Sequence, residues 1–303
     1  MSASKKENIV VIGSSNTDMI IKSDHLPAPG ETILGGEFLM AQGGKGANQA
    51  VAAARLGGEV SFIAKTGNDI FGNQSIKSLN NEHINTDFVQ RDETRPSGIA
   101  LISVDSKGEN SIVVASGSNM SLSPSDIDIA SDLIKNAGFV LMQLEIPLET
   151  VEYVTNICFE NRVQVILNPA PAQKLSDKLL QSLSIITPNE TEAALLTGIA
   201  ITDISDIENA AAVLKQKGVG IVIVTMGSAG AYVLSDTIST IIPASEVKAV
   251  DTTAAGDTFN GALCLALSSG KGIEEAVGFA NKAASISVTK MGAQPSIPYL
   301  KEI

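Results

Sequence analysis

The sequence has few of the residue types on which many protein functions depend. It contains two cysteines, two histidines, no tryptophan and only 4% aromatic residues. Cys158 and Cys264 lie too far apart for the cysteine spacing of a zinc site or a disulfide-rich module, and both thiols are expected to be buried. With His25 and His83 alone, a histidine-rich metal site or a Ser-His-Asp triad is not expected, and both side chains are predicted in surface loops.

Positive charge is scarce as well. The chain has 21 Lys and Arg against 33 Asp and Glu, which gives a formal net charge of −12. Such a chain has no basic face for a nucleic-acid backbone or an anionic membrane, so neither is an expected partner. The apolar run that follows Lys5 and Lys6 is too short for a signal-peptide core or a membrane span. The predicted location is the cytoplasm.

Hydrophobic residues make up 44% of the 303-residue chain, and they occur in two alternating patterns. Apolar runs typical of strands covered on both faces alternate with amphipathic stretches typical of helices. The strand-like runs are 8–13, 59–64, 138–144, 163–168, 183–189 and 220–227. The helix-like stretches are 46–58, 126–138, 191–198 and 206–218. The alternation predicts an α/β fold in which a central, mostly parallel β-sheet is flanked by helices.

Two segments break this alternation. Residues 18–40 and 97–116 read as short alternating strands, and the second contains the hairpin signal Ser106-Lys107-Gly108. We expect them to pair into a small projecting β-sheet that acts as a lid, inserted within a single domain spanning 1–303. The apolar face of such a sheet would need cover from a ligand, the main domain or a second subunit.

The stretch "DTTAAGDTFNGA" joins small residues to a helical pattern that begins near Gly256. This places the N–H groups of Ala254, Ala255 and Gly256 at a helix N-terminus, where a phosphate oxygen would be stabilised. Asp257 in the first turn would then accept the proton of a hydroxyl that attacks a phosphoryl group. The alternative is that Asp257 only complements the helix dipole, as many first-turn aspartates do.

Polar residues elsewhere suggest further contacts. Asp251 with Thr252 and Thr253 is either ordinary turn chemistry or a set of oxygen ligands for a hard cation. "AQGGKGANQ" is not a P-loop, because Gly46 rather than Ser or Thr follows Lys45. Side chains suited to sugar hydroxyls nevertheless occur here and in "GSSNTD", although each alone has a turn or cap interpretation; they are Asn16, Asp18, Lys45 and Asn48.

In chain order, the motifs "GSSNTD", "GGKGANQA", "QLEIP", "NPAPA", "TPNETEA", "VTMGSAG" and "DTTAAGDTFNGA" cover nearly the whole sequence. With them the sequence resembles the PfkB-type carbohydrate kinase family, and "GSSNTD" with "GGKGANQA" resembles its ribose-specific members. The resemblance implies the ribokinase-like α/β fold with a β-sheet lid, and a homodimer formed through the lid sheets. It implies ATP-dependent phosphorylation of D-ribose at the 5-hydroxyl to ribose 5-phosphate and ADP, with Mg²⁺ and an activating K⁺.

The resemblance also assigns roles to positions of this sequence. It implies that Asp257 is the base and that the N–H groups of Ala254, Ala255 and Gly256 stabilise the transferred phosphoryl group. The ribose contacts implied are Asn16, Asp18, Gly44, Lys45, Asn48 and Glu145. Asn189 and Glu192 are implied to position the nucleotide phosphates and, through water, Mg²⁺. The rest of the nucleotide side is Thr225, Gly227, Ser228, Gly230, Gly256 and Asn281. The K⁺ site is Asp251 and Thr253 with oxygens of Ser287, Lys290, Gly292 and Ser296.

Two alternative functions stay open on the sequence. One is another sugar or nucleoside kinase of the same family, acting on 2-deoxyribose, fructose or a nucleoside. The low aromatic content disfavours a nucleoside, because a second base would need side chains on which to stack. The other is a sugar or nucleotide sensor that kept the fold and lost the chemistry, which the intact "AAGD" run argues against.

Overall fold

The computed structural model of the protein describes residues 8–34, 36–107 and 109–303. Lys5 and Lys6 near the N-terminus lie outside the described residues, and so does Gly108 of the predicted hairpin. The strands are β1 (Ile9–Ile12), β2 (Asn16–Lys22), β3 (Glu37–Gly43), β4 (Val60–Gly67), β5 (Val89–Asp92), β6 (Gly98–Val104), β7 (Asn110–Ala115), β8 (Phe139–Met142), β9 (Gln164–Leu167), β10 (Ile185–Ile186), β11 (Ile221–Thr225), β12 (Ala231–Leu234) and β13 (Ser239–Ile242). The α-helices are α1 (Lys45–Arg55), α2 (Ile70–Asn81), α3 (Pro124–Asp128), α4 (Ser131–Lys135), α5 (Leu148–Asn161), α6 (Asp177–Gln181), α7 (Glu190–Thr197), α8 (Ile204–Gln216), α9 (Ala255–Ser268) and α10 (Ile273–Ser287).

Nine of these strands form a central sheet in the order β13-β12-β11-β10-β9-β8-β1-β4-β5. Neighbouring strands pair in parallel from β11 through β5. At the other edge, β12 runs antiparallel to both β11 and β13. The mostly parallel sheet predicted from the alternating patterns is confirmed.

The central strands are apolar on both faces because both faces are covered. All four residues of β1 are buried, and they divide between two hydrophobic clusters. Ile9 and Val11 belong to the cluster that contains α1, α9 and α10 side chains, whereas Val10 and Ile12 belong to the cluster with α5 and α8 side chains. Successive side chains of a strand point to opposite faces, so the sheet separates two helical layers.

The cysteines and histidines lie where the sequence predicted them. Cys158 on α5 and Cys264 on α9 are free and buried. Burial raises the pKa of Cys158 to about 12, and it also raises the pKa of Cys264. His25 and His83 are exposed in turns outside the helices and strands.

A second, four-stranded sheet has the order β3-β2-β6-β7. It is built from the two segments that break the alternation, and its strand β2 begins at Asn16, two residues before the predicted lid segment. Strands β6 and β7 form an antiparallel hairpin. Asp105 stabilises its turn, because its Oδ1 accepts from the N–H groups of Lys107 and Glu109 at 2.8 Å each. The small sheet predicted for these segments is therefore present.

Two local features differ from the sequence prediction. The stretch 126–138 forms two short helices, α3 and α4, because the Ala130 N–H bonds to Ile127 O, three residues back, and the helix axis breaks there. The strand predicted over 183–189 is reduced to the two residues of β10. No helix among the described residues combines the length and apolarity that crossing a membrane requires.

Candidate active site

Asp257 lies in the first turn of α9, which begins at Ala255. Ala254 precedes the helix in the left-handed conformation, with φ of 59°. The Ala255 N–H donates to Thr252 O at 3.2 Å, so the turn itself occupies one of the three predicted anion donors. Within the described part of the chain, the N–H groups of Ala254 and Gly256 meet no protein acceptor. These two groups remain available to an anion at the positive end of the helix.

Two amide side chains hold the Asp257 carboxylate, which is 6% exposed. Asn48 Nδ2 donates to Oδ2 at 2.9 Å, and Gln49 Nε2 donates to Oδ1 at 3.0 Å. Both donors come from consecutive residues of α1, which packs against α9. The carboxylate is therefore fixed in position, and it can accept a proton only from a group that enters the pocket beside it.

The turn before α1 brings Lys45 close to this carboxylate. Gly44 has φ of 88°, and a Cβ at this position would lie 2.8 Å from the backbone nitrogen of Asn16, so only glycine fits. The Lys45 N–H donates to Glu145 Oε2 at 3.0 Å. The negative charge of Asp257 raises the pKa of Lys45 and outweighs the opposing effect of burial, and Glu145 adds to the rise. The ammonium group therefore stays charged.

Strand β2 adds two polar side chains to the same pocket. Burial raises the pKa of Asp18 to about 7, and the nearby Glu145 and Asp257 carboxylates add to this rise. Asn16 Oδ1 accepts from Asn119 Nδ2 at 2.7 Å, which leaves the Asn16 amide N–H groups for another partner. The pocket thus combines amide donors, an ammonium group and carboxylates, the mixture that sugar hydroxyls need.

A cleft of about 660 Å³ lies at the α9 N-terminus, where Ala255 and Gly256 form part of its wall. Its wall includes Phe259, Val247 and Val288, so part of its surface is apolar. Asn281 fixes another part, because its Nδ2 donates to the carbonyls of Ile242 and Pro243 at 2.8 and 3.2 Å. The predicted nucleotide-side residues that line this cleft are Thr225, Gly227, Ser228, Gly230, Gly256 and Asn281.

Asn189 and Glu192 lie outside the wall of this cleft, at the start of α7. They form a capping box in which Asn189 Oδ1 accepts from the Glu192 N–H and Glu192 Oε2 accepts from the Asn189 N–H, each at 2.8 Å. Burial raises the pKa of Glu192 despite the Asn189 N–H and the Lys45 charge, which oppose the rise. Glu192 Oε1 takes no part in the capping box.

Asp251 organises the loop that precedes α9. Its two oxygens accept from the N–H groups of Thr253 at 2.9 Å and Gly292 at 2.8 Å. Burial alone would raise the pKa of Asp251, but hydrogen bonds from Thr253 and Gly292 outweigh it and hold the pKa below its usual value. Gly292 leads into the segment that contains Ser296, so Asp251 joins the two predicted halves of the cation site.

The other predicted cation ligands offer oxygens of different kinds. The hydroxyls of Ser287 and Ser296 donate to Ala284 O and Ala293 O at 2.8 Å each and keep lone pairs free. Lys290 Nζ donates to Glu302 Oε1 at 2.6 Å. Because an ammonium group has no lone pair, only the main-chain carbonyl of Lys290 can act as a cation ligand. The described residues contain no group of three His, Cys, Asp or Glu side chains arranged for a metal ion.

The model for pfkB family carbohydrate kinases matches residues 6–300. The chain belongs to this family. It is 46% identical to a ribokinase of Haemophilus influenzae over 98% of this chain and 97% of that protein. It is 38% identical to a deoxyribokinase of Salmonella typhi over 97% of each. The structure of Arabidopsis thaliana ribokinase complexed with ribose and ATP matches with a TM-score of 0.89 at 37% identity, covering 97% of this chain and 96% of that one.

These comparisons confirm the family and the ribokinase-like fold expected from the motifs. In this pfkB family member the site also contains buried polar residues that were not predicted from the motifs. Gln49 contacts Asp257 directly, and it lies inside the motif "GGKGANQA" beside Asn48. Asn168 follows β9 in "NPAPA" and accepts from Gln49 Nε2 at 3.0 Å. Both residues lie in motifs typical of the family, which could have marked them as candidates. The local sequence around each residue, however, does not show that two amides so far apart in the chain meet.

Proposed function

We propose that this protein is an ATP-dependent kinase that phosphorylates D-ribose at the 5-hydroxyl, giving ribose 5-phosphate and ADP. The observation that carries the proposal is the position of Asp257. Its buried carboxylate lies in the first turn of α9, where Asn48 and Gln49 hold it, and the preceding residue, Gly256, lines a cleft of about 660 Å³. A base at this point is suited to receive a hydroxyl proton while the hydroxyl oxygen attacks the terminal phosphate of a nucleotide.

The proposed reaction begins with the sugar hydroxyl beside Asp257. As the hydroxyl oxygen bonds to the γ-phosphorus of ATP, its proton passes to the carboxylate, and the bond from that phosphorus to the β-γ bridging oxygen breaks. ADP leaves with the electron pair of that bond. Charge on the phosphoryl oxygens is stabilised by the N–H groups of Ala254 and Gly256 and by the positive end of the helix, with the turn donor Ala255 adjacent.

We assign the sugar to the pocket between the two sheets. Asp18 and Glu145 would accept hydrogen bonds from sugar hydroxyls, while the amides of Asn16 and Asn48 would donate to them. The buried Oδ1 of Asn48 has no partner among the described residues, which supports a ligand donor at this point. Gly44 allows the turn before α1 to pack against the backbone of Ser15 and Asn16 beside the proposed sugar site, and Lys45 brings positive charge to the reacting end.

The nucleotide is assigned to the cleft, with its phosphates at the α9 N-terminus. Glu192 fits an indirect role towards Mg²⁺, because Oε1 lies outside the capping box and a single carboxylate with water ligands suffices for this ion. Bound Mg²⁺ would neutralise charge on the phosphates. Asn189 fixes the orientation of Glu192 through the capping box.

The loop around Asp251 fits a monovalent cation better than a divalent one. It offers one carboxylate, the hydroxyls of Ser287 and Ser296, and main-chain carbonyls, which is a donor set suited to K⁺. Thr253, Lys290 and Gly292 would complete the site. Bound K⁺ would supply a fixed positive charge next to the turn that leads into α9.

The lid is proposed to close over the sugar and so exclude water as a competing phosphoryl acceptor. The same sheets are proposed to join two copies of the chain, because they carry exposed apolar side chains on more than one strand. The predicted location remains the cytoplasm, where ATP is available.

The first experiment is ADP release from ATP and Mg²⁺ with D-ribose, 2-deoxyribose, fructose and adenosine as acceptors, each in K⁺ and in Na⁺. We expect ribose-dependent release that is faster in K⁺. Activity on 2-deoxyribose alone would replace the sugar and keep the reaction, an alternative favoured by the deoxyribokinase relative. Ribose binding in calorimetry without ADP formation on any acceptor would instead support a non-catalytic sensor.

A further inference from the structure

The side chain of Gln49 is fully buried, at 0% exposure, and both ends of its amide have hydrogen-bond partners. Its two N–H groups donate to Asp257 Oδ1 and to Asn168 Oδ1, each at 3.0 Å. Its oxygen accepts from the side-chain nitrogen of Gln143, which is also 0% exposed. An amide with acceptors at its nitrogen end and a donor at its oxygen end has a single favourable orientation.

That orientation matters because a glutamine amide has a donor end and an acceptor end. If the Gln49 amide were reversed, its oxygen would face the Asp257 carboxylate, and two acceptors would repel each other. The Gln143 N–H prevents this reversal by occupying the oxygen end. The other end of the Gln143 amide, Oε1, is buried against Gly13, where an added Cβ would approach it to 2.1 Å, and it has no hydrogen-bond partner among the described residues.

On its far side, the amide is linked to the helix that carries the base. Asn168 Nδ2 donates to the carbonyl of Thr187 at 3.2 Å, and the Thr187 hydroxyl donates to Asn260 Oδ1 at 2.6 Å. Asn260 Nδ2 then donates to Gly256 O at 2.8 Å, inside the first turn of α9. The chain of neutral groups therefore starts at Gln143 and ends at the turn that holds Asp257 and the anion donors.

The charges that face Asp257 are of both signs. They come from α1, β2 and α7 and belong to Lys45, Asp18 and Glu192, with Glu145 near the first two. Neutral amide donors can hold a carboxylate within this field without adding a charge of their own. A base must keep its free lone pair aimed at the hydroxyl proton, and a displacement of about 1 Å can cost about 100-fold in rate.

We propose that Gln49 is a positioning residue for the Asp257 base and that Gln143 fixes its orientation. Gln49 touches neither sugar nor nucleotide in this proposal, and it acts only through the carboxylate. The inference rests on the proposed role of Asp257 in phosphoryl transfer. It predicts a loss in the chemical step with both substrates still bound, a pattern different from that of a side chain that contacts the sugar.

The test compares three variants. Gln49→Met keeps the length of the side chain but removes both donors, and we expect kcat to fall about 10- to 100-fold with the KM values for sugar and ATP within about 3-fold. Gln143→Met frees the Gln49 amide to reverse, so a smaller fall of about 3- to 10-fold is expected. Thr150→Val is the matched control, because it also removes a buried hydrogen bond. Thr150 lies on α5, and its Oγ1 donates to Leu122 O at 2.6 Å. The substitution should lower Tm and leave kcat unchanged.

A second readout does not depend on the acceptor. In protein labelled with ¹³C at the aspartate carboxyl carbons, the Asp257 signal is identified by its loss in Asp257→Asn. In Gln49→Met this carboxyl signal should move at fixed pH, because the carboxylate has lost the donor on Oδ1, and in Thr150→Val it should stay in place. If ribose is not phosphorylated, the proposed function fails while this readout still tests Gln49. An Asp257 carboxyl signal that stays in place in Gln49→Met, or a kcat within 3-fold of the wild-type value in that variant, would overturn the inference.

Discussion

Among single side chains, Asp257 has two possible roles, helix capping and base catalysis. Asp257→Asn keeps the shape of the side chain but cannot take up a proton. We expect kcat to fall at least about 100-fold, because only the transition state loses its base. Calorimetric affinities for ribose and for a non-hydrolysable ATP analogue should stay within about 3-fold of the wild-type values. Turnover above a few per cent of the wild-type rate would exclude the catalytic role.

Asp203 provides the control for the capping role. It caps α8, where its Oδ1 accepts from the Asp206 N–H at 3.1 Å. Asp203→Ala should cost about 1 kcal/mol of stability, the usual value for a lost cap, without changing kcat. If Asp203→Ala and Asp257→Ala each lowered both stability and kcat to a similar extent, loss of a helix cap rather than loss of a base would explain the effect.

Asp18 gives a pH dependence whose direction follows from its environment. Burial, Glu145 and Asp257 raise its pKa to about 7 in the folded protein, from the usual aspartate value of 3.8. The folded state therefore holds this proton more tightly than the unfolded state, and the stabilisation present below about pH 4 is lost as pH rises to about 7. Asp18→Asn mimics the protonated form and should escape this loss.

The measurement is urea unfolding of both proteins at pH 5 and pH 8. The stability of Asp18→Asn relative to the wild-type protein should rise by on the order of 2 kcal/mol between these values. Asp24→Asn is a suitable control, since Asp24 is exposed just after the same strand. An unchanged difference between pH 5 and pH 8 would show that Asp18 is ionised throughout this range.

The sequence was informative for residues whose role depends on local context. The position of Asp257 in the first turn of α9 followed from small residues placed before a helical pattern. The contact between Gln49 and Asp257 could not be predicted, because the residues are 208 positions apart and an amide in a helix gives no sign of its partner. The turn donor Ala255 was also assigned to the anion, but its N–H bonds to Thr252 O.

Between helices, the closest approach that matters to the site is that of α1 and α9. A Cβ on Gly261 would lie 2.5 Å from Gln49 O and 2.6 Å from Ala52 Cβ. Gly261→Ala must therefore push the helices apart, and we expect a loss of about 1–3 kcal/mol of stability. Because α1 carries Asn48 and Gln49, kcat should fall as well. Thermal unfolding and steady-state kinetics on the same preparation would test both effects.

Gly278 on α10 is the matched control for this substitution. Its added Cβ would meet only Ile242 Cγ2, at 4.0 Å, which is an ordinary contact. Gly278→Ala should therefore raise stability by about 0.5–1 kcal/mol, as expected for alanine in a helix interior. If both substitutions stabilised the protein, the close approach of α1 and α9 would have no role in their packing.

Regular elements were predictable where burial is uniform along the segment. Strands β1 and β8 are buried at every residue, so their apolar runs identified them. The edge hairpin β12–β13 was not recognised, because β13 is half-exposed and antiparallel pairing at a sheet edge leaves no long apolar run. The prediction of a single helix over 126–138 was wrong. The apolar periodicity continues across Ile129 and Ala130, but the helical backbone is interrupted there.

At the scale of the whole molecule, the parallel central sheet with helices on both faces follows from the alternation of strand and helix patterns. The packing of the lid does not. Strand β2 continues from the central sheet through Ser14 and Ser15, so one end of the lid is fixed beside the sugar pocket. Away from Asn16 the sheet exposes apolar side chains, among them Phe38 at 61% near its far end and Val113 at 65% on the edge strand β7. Sequence patterns predict that such a surface needs cover, yet they do not specify what covers it.

The homodimer proposal makes this surface testable. Ile112 pairs with Ile102, which pairs with Ile20, so Ile112 lies on the face of the second sheet that carries Asp18. Val113 lies on the opposite face, because neighbouring residues of a strand alternate. The double variant Ile112→Asp/Val113→Asp therefore places a charge on both faces, and each lost apolar contact costs about 1.5–3 kcal/mol.

We expect sedimentation to show a dimer for the wild-type protein and a monomer for the double variant. The KM for ribose should rise in the variant, because a lid without its partner closes less well over the sugar, while the KM for ATP should stay within about 2-fold of the wild-type value. Ser111→Asp adds an exposed charge to the same strand without removing an apolar side chain and should remain dimeric. A dimer that persists in the double variant would place the contact away from the lid, and a monomeric wild-type protein would leave lid closure to the single chain.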